Sequence, residues 1–146
     1  MDISTSTFVI FILISAVITF VVIPLVGATI LWLASKLWQF KDATFKNSFK
    51  TILVILGVMF ATILLTQGLF LKEPFSNLAQ SAPQTFLLIL SVLLVVGITA
   101  GTLAIKKFSQ ESFAKALGAT VTFFVFVLVL FFCLVAFRVV LVKSAS

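Results

Sequence analysis

The chain has 146 residues, of which 62% are apolar and only 10% charged, and its net charge is +6. Soluble domains carry roughly a quarter charged and about half apolar residues, and about 30% of the unfolded surface of such a chain stays exposed after folding. This composition therefore excludes a water-soluble fold. The positive residues sit at the ends of apolar runs, the pattern that orients helices in a bilayer, so the charge points to headgroups and not to nucleic acid.

Four apolar stretches, at 8–35, 51–71, 85–105 and 116–142, meet the requirement of about 20 apolar residues for one crossing. The expected fold is an all-α integral membrane protein of four transmembrane helices, forming a single membrane domain over residues 1–146.

The first stretch follows a segment with Asp2 and no Lys or Arg. It lacks the basic start of a secretory signal and is about twice as long as a signal core, so it reads as a retained first helix. Pro24 predicts a kink, because it removes one backbone bond and crowds the preceding turn. Ala16, Phe20, Pro24, Gly27, Leu31 and Ala34 share one helical face. The connection at 36–50 carries Lys36, Lys41, Lys46 and Lys50 against Asp42. Trp32 and Trp38 flank Lys36 as expected of headgroup anchors, and Asp42 or Thr44 is placed to cap the second helix.

Lipid tails are as apolar as leucine, so helices in a bilayer associate through close packing of small residues. In the second span Gly57, Ala61 and Gly68 fall on one narrow arc with Val54 and Leu64, which predicts a packing seam, met either by this chain or by a second subunit. The connection at 72–84 holds Lys72, Glu73, Pro74 and Pro83. The third span offers Leu90, Leu94, Gly97, Gly101 and Ala104 on the same spacing, with a GxxxG at its centre. The connection at 106–115 carries Lys106, Lys107 and Lys115 against Glu111, with Ser109 or Ser112 as caps for the last helix. In the fourth span Gly118, Thr122, Val125, Val129 and Ala136 form the small seam. Phe123, Phe124, Phe126, Phe131, Phe132 and Phe137 cover the remaining circumference, where they are expected to face lipid.

The first and third connections hold seven lysines, whereas the opposite side holds Lys72, Arg138 and Lys143. The positive-inside rule then places the basic connections in the cytoplasm and both termini outside, in the cytoplasmic membrane. A shift of 70 residues also lays Gly27, Thr29, Leu33, Ala34 and Lys36 on Gly97, Thr99, Leu103, Ala104 and Lys106. After a two-residue gap, Thr44 and Phe45 fall on Ser112 and Phe113. Each half reads as helix, basic loop, helix, which suggests a parallel repeat about an axis along the membrane normal.

There is no histidine and no tyrosine, and no span has an ionisable residue near its middle. A Ser–His pair is impossible, no carboxylate pair is placed for acid–base work, and no metal constellation exists. No cofactor is expected, and the chain is expected not to be an enzyme. The intramembrane Ser and Thr residues are expected to bond to the preceding turn's carbonyl or across a helix contact.

The stretch beginning VIPLVGATILWLASKLWQFKDATFKNSFK, with its T-F-K helix start at Thr44, Phe45 and Lys46, resembles a segment of the Yip-type membrane domain family. The later stretch at 97–117, ending in Lys115, Ala116 and Leu117, is similar to the connection between that family's last two helices. Together they span about half the chain. Family members have five spans after a cytoplasmic segment. Without the first span the remaining four would begin outside, in line with the lysine count. The resemblance implies a non-enzymatic membrane protein that acts through partners or lipids. The functional expectation is an accessory or scaffolding subunit of a larger membrane complex. The alternatives are a Yip-like role in membrane organisation or trafficking, and a small oligomeric transporter or channel.

Overall fold

A computed structural model describes residues 3–70 and 75–144. The described chain is helical nearly throughout: α1 (Ile3–Val17), a π-helical turn (Ile18–Val22), α2 (Ile23–Leu37), α3 (Phe45–Phe70), α4 (Phe75–Ser81), α5 (Pro83–Ser109) and α6 (Phe113–Ser144). Four of these rods are long and apolar enough to cross a membrane: Ser6–Leu37, Phe45–Leu69, Pro83–Ser109 and Phe113–Ser144. The protein is thus an all-α integral membrane protein.

Each rod runs past the apolar stretch that marks it in the sequence. Lys46 and Lys50 therefore stand on the first turns of α3, Lys106 and Lys107 on the last turn of α5, and Lys115 on the first turn of α6. Only residues 38–44 and 110–112 are left to connect these helices on the lysine-rich side. The connection at 72–84 contains α4, whose buried Leu78 packs with Ile89 and Leu93 of α5. A helix of seven residues is too short to leave a clear periodic signal in the sequence. Lys72, Glu73 and Pro74 of that connection lie outside the described residues.

Pro24 acts as expected of a helix breaker, in a specific way. It has no N–H for the carbonyl four residues back. The chain widens into the π turn just ahead of it, and the Ile23 N–H bonds to the Ile18 carbonyl, five residues away. A π-bulge is a recognised way of absorbing such a fault without ending the helix.

Around the bundle the neighbours run α2, α3, α5, α6 and back to α2, with α3 against α5 the most extensive contact. The hairpins α2–α3 and α5–α6 bury corresponding positions. Ser48, Thr51, Ile52 and Ile55 of α3 match Ala116, Ala119, Thr120 and Phe123 of α6. In α2, Leu31, Ala34 and Ser35 match Gly101, Ala104 and Ile105 of α5. Thr29 and Thr99, paired by the 70-residue shift, each donate to the carbonyl four residues back, at 2.9 and 2.8 Å. The same holds for Ser35, Thr51, Thr62, Thr66, Ser91, Thr102 and Thr120. These hydroxyls are thereby satisfied within their own helices.

Candidate functional site

The bundle is tied together at its lysine-rich end. Helix α2 stops where Gln39 takes φ 52°, and α5 stops where Gln110 takes φ 51°. After α2, Gln39 N–H bonds to Lys36 O at 3.0 Å and Phe40 N–H to Ser35 O at 3.1 Å. This is the Schellman pattern, here with Gln in the left-handed position usually filled by Gly. It turns Phe40 inward, where it is buried in the core. Thr44 then caps α3, its Oγ1 accepting from Asn47 N at 3.3 Å.

Glu111 links the two connections. Its side chain is only 7% exposed, and Oε1 accepts the backbone N–H of Lys41 at 2.6 Å. A hydrogen bond to an ionised group is worth about 1.5–3 kcal/mol. Lys115 Nζ lies 3.9 Å from Oε2 and donates to Gln39 O at 3.3 Å. The ion pair is partly exposed and adds little, so the backbone contact to Lys41 is the stronger part of this tie.

Trp38 makes the second tie. Its ring lies across α6: a Cβ at Gly118 would run into it. Its Nε1–H donates to Thr122 Oγ1 at 3.0 Å. Gly118 and Thr122 thus receive a tryptophan from the first connection. Trp32 donates to Ala43 O at 3.0 Å, and Lys36 Nζ stands 3.9 Å from the centroid of its ring.

Deeper in the bundle the small residues of α2 and α5 receive large ones from their neighbours. A Cβ at Gly101 would lie 2.7 Å from Thr120 Cγ2 and 2.9 Å from Ile55 Cδ1. At Gly97 it would lie 2.7 Å from Phe124 Cζ and 3.3 Å from Met59 Sδ. Gly27 meets Ile52 in the same manner, and Ala34 and Ala104 are buried. Leu90 and Leu94, on the expected α5 seam, are exposed.

The seam of the second span faces outward. Gly57, Ala61 and Gly68 do not pack within this chain: all three are exposed, and a Cβ at Gly57 or Gly68 would meet nothing within 4 Å. The reason is volume complementarity. Helix α3 supplies Ile52, Ile55 and Met59 to holes left by glycines on α2 and α5, and turning its own glycines inward would set hole against hole. Two of the α6 phenylalanines also differ from expectation, since Phe123 is buried and Phe124 fills the space beside Gly97.

At the other end α3, α4 and α5 still pack around Leu78, Ile89 and Leu93, but the side formed by the first rod and α6 is open. Residues 7–23 are exposed apart from half-buried Ala16, and every residue from Val125 to Ser144 is exposed. This includes Phe20, Val125, Val129 and Ala136, which the sequence pattern assigns to seams. Between α2, α3 and α6 a cavity of about 470 Å³ is walled by apolar side chains, among them Val26, Leu56, Met59, Val127 and Phe131. Among the described residues no three His, Cys, Asp or Glu side chains come together as a metal site would require.

No protein-family model matches this sequence, and neither the curated proteins nor the solved structures yield a match. None of these comparisons bears on the resemblance to the Yip-type family.

Proposed function

We propose that this protein is an accessory or scaffolding subunit of a larger membrane complex, and that its open half receives the transmembrane helices of a partner. The reading takes the two lysine-rich connections as cytoplasmic and both termini as outside, in the cytoplasmic membrane. The observation that carries it is the contrast within single helices. Helix α6 is packed from Ala116 to Phe124 and then exposed from Val125 to its end, although the exposed part is at least as apolar. Small-residue stripes promote helix association in lipid, and the outward stripe of Gly57, Ala61 and Gly68 supplies one that the chain leaves unused. The cavity beside Phe131 is walled by apolar residues, which argues against an ion path there.

Cys133 provides the test, because it is the chain's only cysteine and is exposed on the open part of α6. A thiol-linked photocrosslinker on Cys133 in native membranes should give one defined adduct with a membrane protein. The same probe moved to Leu103, in a Cys133→Ala background, should give none. Adducts with lipid alone from Cys133 would sink the proposal, and a dimer of this chain would make the partner a second copy.

A further inference from the structure

Two grooves run along the flanks of the bundle, and both end at lysine. The first, about 570 Å³, lies between α3 and α5. Its floor runs from Val95 and Val58 past Thr99 and Leu103 to Lys107 and Phe108. The second, about 500 Å³, lies between α2 and α6, with Ile30, Leu33, Phe126 and Leu130 leading to Lys36 and Leu37. The internal repeat relates the two. Ile30, Leu33 and Leu37 correspond to Ala100, Leu103 and Lys107, and Phe126 corresponds to Val58. The lysine sits one position apart in the two halves, yet closes the same end of each groove.

We infer that each groove binds an anionic glycerophospholipid of the lysine-side leaflet, one acyl chain along the apolar floor and the headgroup phosphate at Lys107 or Lys36. Length favours a lipid over a helix. Val95 to Lys107 spans about 18 Å at 1.5 Å per residue, close to one leaflet of a hydrocarbon core about 30 Å thick. A partner helix must cross the whole core, whereas this groove ends halfway. The one hydroxyl on its floor, Thr99 Oγ1, is bonded to Val95 O, so the wall offers an acyl chain no unmet donor.

Charge favours an anion. On the lysine side the carboxylates are Asp42 and Glu111, and Glu111 is held by the Lys41 backbone and Lys115. Lys36, Lys50 and Lys107 stand in no ion pair with a carboxylate among the described residues. Lys50 lies 5.7 Å from the Phe108 ring centroid, which brings a second cation to the mouth of the first groove. In the second groove Lys36 is steered by the Trp32 ring. A phosphate at this height meets a cation just where its acyl chain enters an apolar channel.

Native mass spectrometry of the full chain, exchanged into mild detergent with tail-matched phosphatidylglycerol or phosphatidylcholine, tests the inference. Two phosphatidylglycerol molecules should be retained in preference to phosphatidylcholine. Lys107→Gln should weaken one site and Lys36→Gln the other, each about fivefold, as expected for one basic residue near an anionic surface. Lys106→Gln and Lys41→Gln remove the same charge away from the grooves and should change retention less than about twofold. Ala100→Phe keeps every lysine but fills the first floor, and should remove one lipid. Equal retention of the two lipids, equal effects of all four lysine variants, or unchanged retention in Ala100→Phe would each overturn the proposal.

Discussion

The lysine-side and opposite halves of this molecule are both built mainly of apolar residues, yet one is closed all round and the other is open along the first rod and α6. In the closed half Glu111 bonds to the Lys41 backbone, Trp38 bridges to Thr122, and Gly101 brings α5 close to both α3 and α6. In the open half the start of the first rod and the end of α6 stand exposed. Hydrophobicity cannot account for the difference, because it does not drive helices together in lipid. Packing of large side chains into small-residue holes, and a few polar ties at the membrane surface, do account for it. Where those devices stop, the bundle opens.

Substitutions in the two halves should therefore behave unequally. The largest effect is expected from Gly101→Leu, which drives a side chain into Thr120 and Ile55 together. Overpacking of a tight core typically costs about 1–3 kcal/mol, occasionally more, and thermal unfolding in detergent should show the loss. Gly57→Leu, on the face where an added Cβ meets nothing, should change stability by less than about 0.5 kcal/mol. Comparable destabilisation by both would break the comparison.

Glu111→Ala comes next. It removes the acceptor of the Lys41 N–H and should cost about 1–3 kcal/mol. Glu111→Gln, which keeps an oxygen at that place, should recover part of the loss in the same melting experiment. The smallest of the closed-half effects is expected from Trp38→Phe. The ring would still cover Gly118, but the donor to Thr122 disappears, for about 0.5–1.5 kcal/mol. Val135→Ala, in the open half, should leave the isolated chain unchanged.

The sequence makes the four crossings legible because a bilayer imposes length and apolarity on each segment. The cap at Thr44 and the fault at Pro24 are also readable, since both follow from local backbone chemistry. Helix orientation is harder to read. In a soluble bundle the polar face of a helix marks its outside, but the membrane-crossing part of α3 has no such face, so Gly57, Ala61 and Gly68 look as suited to the interior as Gly97 and Gly101. What separates them is the partner: Ile55 and Met59 project toward glycines of α5, a relation between distant segments that one helix cannot reveal. Trp38 illustrates the same limit. Its place beside Lys36 signals a headgroup anchor, and nothing near it in the sequence signals the contact with Gly118 of α6. The 70-residue shift, by contrast, is visible in the sequence, and Ile52 with Thr120 and Ile55 with Phe123, each pair 68 residues apart, are buried alike.

On the proposed reading, in which a partner completes the open half, the two halves should differ in their motions. Spin labels at Leu13 and Val135, both exposed in the open half, would test this most directly in a Cys133→Ala background. The distance between them should be broadly distributed in the isolated chain and should narrow to one population in the complex purified from native membranes. A reference pair at Phe45 and Phe113, where α3 and α6 begin, should stay narrow in both. A narrow Leu13–Val135 distance in the isolated chain, unchanged in native membranes, would contradict the account.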